Sequence, residues 1–162
     1  MAVDMFLVIK GAEGETKDDK YKGESGIDLL AWSWGVSNSG TFHSGGGGGS
    51  GKANYQDISC TKWVDNSSPA LMLKCANGDH FPEAKLIVRK AGKQPLEYIK
   101  MEMKNVLVTS ISTGGSGGED RLTENVTLNF EKVKWTYVKQ KDDGSGEADK
   151  DFKWDIGANA EM

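Results

Sequence analysis

The feature that most constrains this chain is alternation. Segment after segment places apolar residues at every second position, the period of a strand with one face buried and one face free. In 28–37, "DLLAWSWGVS", the residues Leu30, Trp32, Trp34 and Val36 share one face, and Leu29, Ala31, Ser33 and Gly35 the other. The first face is bulky and is expected in the core. The second is small and nearly flat. Residues 5–11 and 84–92 also read as strands, and the same period in 53–64 has a phase change between Tyr55 and Ile58 that predicts a bulge. In 96–112 it places Ile99, Met101, Met103, Leu107 and Ile111 on one side, with Lys100, Glu102 and Lys104 opposite. Residues 96–104 have some helical propensity, but the alternation and the Val/Thr/Ile continuation favour a strand. Segment 124–140 alternates through Val126, Leu128 and Phe130, then shifts to Val133, Trp135 and Tyr137, which predicts a second bulge near Glu131–Lys132.

One segment has a different signature. "SSPALMLKCANG", 67–78, begins with Ser67 and Ser68 as capping residues and has Pro69 in the first turn and Gly78 at the end, so a helix over about 67–77 is expected. The residues thus predict a mainly β fold with one short helix, a compact barrel or two-sheet sandwich. At 162 residues the chain suits one domain, 1–162. Two stretches depart from the pattern: a long Gly-rich loop over 37–52 and a polar, partly mobile tail over 141–162, in which Phe152–Ile156 is apolar enough to dock again.

The loop invites a nucleotide reading. Gly46 to Lys52 spells G-G-G-G-S-G-K, one residue short of a phosphate-binding loop. The position that needs a Ser or Thr hydroxyl for magnesium is Ala53, and residues 54–64, "NYQDISCTKWV", alternate as a strand where a phosphate loop opens a helix. Six of the seven residues 45–51 are Gly, so the loop is costly to order and suits contact with a partner. The second Gly run, 112–125, also leads into a strand.

Other constellations are weaker. His43 and His80 are the two histidines, and Cys60 and Cys75 the two cysteines, with no metal-ligand spacing; the cysteines read as small buried side chains. Glu119, Asp120 and Glu124 around Arg121 read as an ion-pair network rather than an acid/base pair. Trp32 and Trp34 are candidates to stack a sugar in a monomeric carbohydrate-binding sandwich, against a default of core packing. The net charge of −4 calls for neither nucleic acid nor an anionic membrane, and no apolar run is long enough to span a bilayer. No cofactor or catalytic motif is evident, so a binding or structural role is expected rather than an enzyme.

Several strings resemble one family closely. "MAVDMFL", "LLAWSWGVSNSG" (29–40), "GGGGSGK", "VRKAG" (88–92) and "TGGSGGEDRLTENVTLNF" (113–130) are similar to the hemolysin-coregulated proteins (Hcp), the tube proteins of the bacterial type VI secretion system. The resemblance covers nearly all of 1–140. It implies a β-barrel of two sheets that closes with five copies of itself into a hexameric ring, and rings that stack into a tube fired outward by the system. It implies partners in the sheath, spike and baseplate, and small effector proteins carried in the lumen. Export from the bacterial cytoplasm would use the system itself and no cleaved leader. The family's lumen-facing serine matches Ser33, with Ala31 and Gly35 beside it as small neighbours. The loop residues Gly45, Gly46, Gly47, Gly48, Gly49 and Lys52 are expected at contacts between subunits or rings.

Overall fold

The computed structural model describes residues 3–40, 42–43 and 51–162. In chain order the strands are β1 (Val3–Ile9), β2 (Ile27–Ser33), β3 (Val36–Ser37), β4 (Asn54–Tyr55), β5 (Ile58–Trp63), β6 (His80–Lys90), β7 (Leu96–Thr113), β8 (Thr123–Tyr137), β9 (Lys150–Asp155) and β10 (Ala160–Glu161). The helix α1 (Ser68–Asn77) lies between β5 and β6, and a 3-10 turn occupies Lys22–Glu24. The main sheet runs β10-β9-β8-β5-β2-β1-β6-β7, and β7 also pairs with β8. Six strands therefore close into an antiparallel barrel, and β9 and β10 extend from it. Closure pairs each of the six barrel strands on both sides, which protects them from edge-to-edge aggregation. The tail 141–162 thus contributes two strands to the sheet.

The barrel interior is filled by alternating residues of every strand. Leu7, Ile9, Ile27, Ile58, Cys60, Leu86, Met101, Met103, Val126 and Leu128 are all buried there. Helix α1 begins after Ser67, has Pro69 in its first turn and ends at Gly78, whose φ of 70° fits a left-handed cap. It drops Leu71 into the core. A smaller cluster of Phe6, Tyr21 and Ile87 lies on the outside of β1 and β6. There Arg89 stacks over Phe6 at 5.1 Å and binds Asp18 and Asp4. The guanidinium holds the Asp18 carboxyl below its ordinary pKa. Both faces of β1 are therefore covered, which accounts for its unbroken run of apolar residues.

Four details differ from the alternation read in the sequence. Leu30 does not join Trp32 and Trp34. It is 40% exposed, and Leu29 is buried in its place. The register against β5 shifts between Leu29 and Ala31, so Leu30 is the extra residue of a bulge and the inward phase moves by one. The break between Tyr55 and Ile58 is not a bulge but a change of sheet. Tyr55 pairs with Val36 in the small β3–β4 hairpin, and Ile58 pairs with Leu128 in the barrel. Strand β6 starts at His80, earlier than the apolar pattern suggests.

The fourth difference is in the long β7–β8 pair. Val106 and Val108, rather than Leu107, follow Met103 into the core. Across the ladder the phase moves from Phe130 to Val133, at the predicted place. Yet the pairing register is unchanged, with Lys104 opposite Lys132 and Val106 opposite Phe130. Both strands turn over together at Asn105 and Glu131, where Asn105 has a φ of 52° and its side-chain amide donates to Glu131. The edge of β8 changes neighbour at the same point, from β5 to β9. The left-handed backbone favours Asn or Gly. Asn105→Val is expected to lose about 1–2 kcal/mol of unfolding free energy, and Asn105→Gly much less, in denaturant titration.

Candidate functional site: a small, uncharged barrel wall

Four strands of the barrel lie side by side as β2-β5-β8-β7. Each sends its large residues inward: Trp32 packs against the core, and Cys60, Val126 and Val108 are buried in it. Alternation then sends the residues between them to the opposite face. Along the ladder, Ser33 stands opposite Ser59, Ser59 opposite Thr127, and Thr127 opposite Ser110. The next row runs Ala31, Thr61, Asn125 and Ser112. All eight are exposed or half-buried.

The wall is knit by its own hydrogen bonds. Thr61 Oγ1 donates to Asn125 Oδ1 at 2.8 Å, and the hydroxyls of Ser110 and Thr127 lie 2.6 Å apart. Thr109, the bulged residue between Val108 and Ser110, donates from Oγ1 to Asp57 Oδ2 at 2.7 Å. Asn129 Nδ2 donates to the other oxygen of Asp57 at 2.9 Å. The carboxylate at the border of the wall thus has both oxygens occupied by neighbouring donors. The result is a polar surface without long side chains, on which Thr61, Asn125, Ser110 and Thr127 engage one another.

The other side of the barrel is built differently. On β6 and β7, Glu83 faces Lys104 and Lys85 faces Glu102, with Lys100 one step further along. Lys104 pairs with Glu83, and Lys85 reaches Glu24. One wall of the barrel is therefore small and nearly neutral, and the other is densely charged.

The residues singled out in the sequence separate into three places. Ser33 and Ala31 belong to the small wall. Gly35 sits beyond the end of β2, beside the Gln56 side chain and at the margin of an aromatic trough. Lys52 is exposed on the segment leading into β4, and Gly45, Gly46, Gly47, Gly48 and Gly49 lie outside the described residues. Trp32 and Trp34, expected in the core, are half-buried and line the trough together with Trp135 and Trp154.

The expected ion-pair network around Arg121 does not form as a unit. Arg121 stacks over Trp63 at 4.7 Å. Glu124 instead turns into the barrel, where it accepts from Lys62 and from Ser68 Oγ. Lys62 Nζ also donates to the Trp63 carbonyl at 2.9 Å and lies 3.1 Å from Asp65 Oδ1. Both side chains of the Lys62–Glu124 pair are fully buried. The network ties β5, β8 and the start of α1 together.

Cys60 and Cys75 are free thiols, and burial pushes the Cys60 thiol up to about 12, out of reach of thiolate chemistry. Among the described residues no group of His, Cys, Asp and Glu has the arrangement of a metal site. Among the same residues no helix is long and apolar enough to cross a membrane.

Ser59, Thr61, Ser110, Ser112, Asn125 and Thr127 carry no mark in the sequence that singles them out. Their signal lies in the small polar residues between the buried ones of "ISCTKW" and "ENVTLNF". The strand order that places them beside Ser33 is not in either string.

The fold and this wall define a closed β-barrel whose most distinctive surface is an extended face rather than a cleft. The family model of the type VI secretion system effector Hcp matches residues 6–137. The chain is 54% identical to protein Hcp1 of Pseudomonas aeruginosa over 163 residues, which cover 99% of each. Among solved structures it superposes on Hcp1 from Salmonella typhimurium with a TM-score of 0.81 at 36% identity, covering 100% of both chains. A structure of a type six secretion system protein gives a TM-score of 0.92 at 28% identity, covering 99% of this chain and 100% of the other. The chain belongs to the Hcp family of type VI secretion system proteins.

Proposed function

We propose that six copies of this chain close into a ring, that rings stack as the inner tube of a type VI secretion system, and that the β2-β5-β8-β7 wall faces the bore and carries small effector proteins. The observation that carries this reading is the contrast between the two walls. A channel that must hold and release varied cargo needs a surface with no long side chains and few unpaired charges, which is what the rows through Ser33 and Ala31 offer. The charged wall suits the outside of a tube, in contact with solvent or with other parts of the secretion machine. Six four-strand walls at the usual inter-strand spacing of about 4.8 Å would give a circumference of about 115 Å and a bore on the order of 35 Å. That is wide enough for a small folded protein. A closed ring needs two different edges on each copy, one for each neighbour. The Gly-rich loop with Gly45–Gly49 and Lys52 is the part of the chain we assign to contacts between subunits or rings.

Ser33→Gln tests the reading. The residue is exposed, so the fold should lose no more than about 0.5 kcal/mol. In a ring the longer side chain is repeated six times around one level of the bore. The variant is expected to form rings of unchanged mass, and the set of small proteins that co-purify with them from the native host should be depleted several-fold by quantitative mass spectrometry. Rings with an unaltered complement would remove Ser33 from the cargo surface. A variant that fails to fold would show that the wall is not free.

A further inference from the structure

Asp57 is the charged group at the border of the small wall. It comes one residue before Ile58, which is fully buried, so alternation sends its carboxylate to the wall face, in line with Ser59 and Thr61. Its two donors belong to that face as well. Asn129 stands between the buried Leu128 and Phe130, and Thr109 Oγ1 lies 2.7 Å from Thr127 Oγ1. Thr109 and Asn129 each engage one oxygen of Asp57, at 2.7 and 2.9 Å. A hydroxyl and an amide are neutral, so they fix the direction of the carboxylate and leave its charge intact. A carboxylate offers about four lone-pair positions, and two of them stay open.

The outer wall treats its carboxylates differently. Glu83 has Lys104, Glu24 has Lys85 and Asp155 has Lys132 within ion-pair distance. Among the described residues, no Lys, Arg or His lies within that distance of Asp57. None of the residues in the rows through Ser33 and Ala31 is basic. Asp57 is also half-buried, so water and salt screen it less than a fully exposed carboxylate. Each copy thus holds one oriented negative charge on this face without an internal counter-ion. In a ring of four-strand walls the copies of Asp57 recur at about 19 Å. That is well beyond the screening length of about 8 Å at physiological salt, so they act as separate points around one level of the bore.

We infer that Asp57 is a specificity-determining residue of the cargo surface, which selects small proteins that present lysine or arginine side chains to the wall and disfavours those that present carboxylates. The inference rests on the ring reading above and names the chemistry of the cargo that the wall holds. The neutral rows tolerate varied shapes, and the carboxylate supplies the discrimination.

The test uses rings of the full chain and a fluorescently labelled decalysine peptide, followed by anisotropy. The extended peptide spans at most about 35 Å, enough to reach two neighbouring copies of Asp57. Asp57→Asn is expected to form rings of unchanged mass, since Thr109 keeps Thr127 as a partner. It should raise the dissociation constant for decalysine by about tenfold or more. Glu102→Gln, which removes a carboxylate from the outer wall, should change that constant by less than about twofold. Ser59→Asp in the Asp57→Asn background returns a carboxylate to the same face of β5 and should restore most of the affinity, a rescue that a merely structural role for Asp57 would not allow. In rings purified from the native host, Asp57→Asn should lose the basic members of the co-purifying set and keep the neutral ones.

Asp57→Asn rings that bind decalysine as tightly as wild type, or an equal loss in Glu102→Gln, would overturn the inference while leaving the ring in place. Where Asp57→Asn does not assemble, Ser59→Asp alone decides the matter: it should tighten decalysine binding by otherwise wild-type rings, and unchanged binding would overturn the inference. Wild-type protein that stays monomeric at every concentration would overturn the ring reading as well.

Discussion

Glu124→Gln is expected to lower the unfolding free energy by about 3–5 kcal/mol, because it removes the nearer of the two carboxylates that neutralise the buried Lys62 ammonium. Lys62 and Glu124 have no exposed side-chain surface, and Ser68, the Trp63 carbonyl and the Asp65 carboxylate complete the ammonium's shell. The amide can still accept one hydrogen bond, but it supplies no charge. Lys62→Met with Glu124→Leu removes the pair and puts apolar groups of similar length in its place, while Asp65 keeps the Ser67 amide and hydroxyl as its donors. The double variant should recover much of the loss, since a buried pair replaced as a unit is often close to neutral. Equilibrium denaturation of Lys62→Met, Glu124→Leu and the double variant measures the coupling directly. A single-variant loss under about 1 kcal/mol, the range of an exposed pair, would mean that the pair is solvated and not a structural element. What a buried pair adds in this barrel is a fixed connection between β5, β8 and the entry to α1.

Phe130→Ala is the second substitution with a large expected effect, again about 3–5 kcal/mol. Phe130 is 4% exposed, stands opposite Val106 in the ladder, and lies 6.2 Å from Trp34. It is the last inward residue of β8 before the strands turn over at Asn105 and Glu131. Truncating it leaves a void beneath Trp34 that the barrel can close only by moving that indole. The stability loss should therefore come with a change in near-ultraviolet dichroism from the tryptophan cluster. Phe130→Leu, which keeps most of the volume, should cost far less. A small loss for the alanine variant would show that the trough collapses freely and that its shape is not set by the core.

How much of this molecule can be read from its sequence depends on how local the signal is. The alternation of β5 and β8 is local, and so is the cap-to-cap pattern of α1. These fold as expected, and the mainly β class with one α-helix comes from them. The Leu30 bulge is not local. Leu29 and Leu30 are chemically identical, and only the pairing of Leu29 with Lys62 decides which one enters the core. The turn at Asn105 is hidden for a related reason. A one-residue phase change in β8 looks the same whether one strand bulges or both strands turn over together.

The wall itself shows the same limit. Ser33 stands out because it lies between two tryptophans, and the family resemblance gives it a role. Ser59, Thr127 and Ser110 have no such marker and acquire meaning only from strand order. Glu124 reads wrongly because its neighbours in sequence, Glu119 and Asp120, are exposed, while its partner Lys62 lies on β5, across the barrel ladder. Bulk alone sends Trp32 and Trp34 to the core. The structure gives each of them a buried edge and an open face.

The central claim is that the small, uncharged wall lines the bore of a ring. Electron cryomicroscopy of the purified protein tests it most directly. The account predicts a six-fold ring of 17.6 kDa chains. Its bore should be on the order of 35 Å across at the usual strand spacing, with the row through Ser33, Ser59, Thr127 and Ser110 facing inward and the charged wall of β6 and β7 outside. A strictly monomeric particle, or a ring with the Lys85–Glu102 wall turned to the bore, would contradict it.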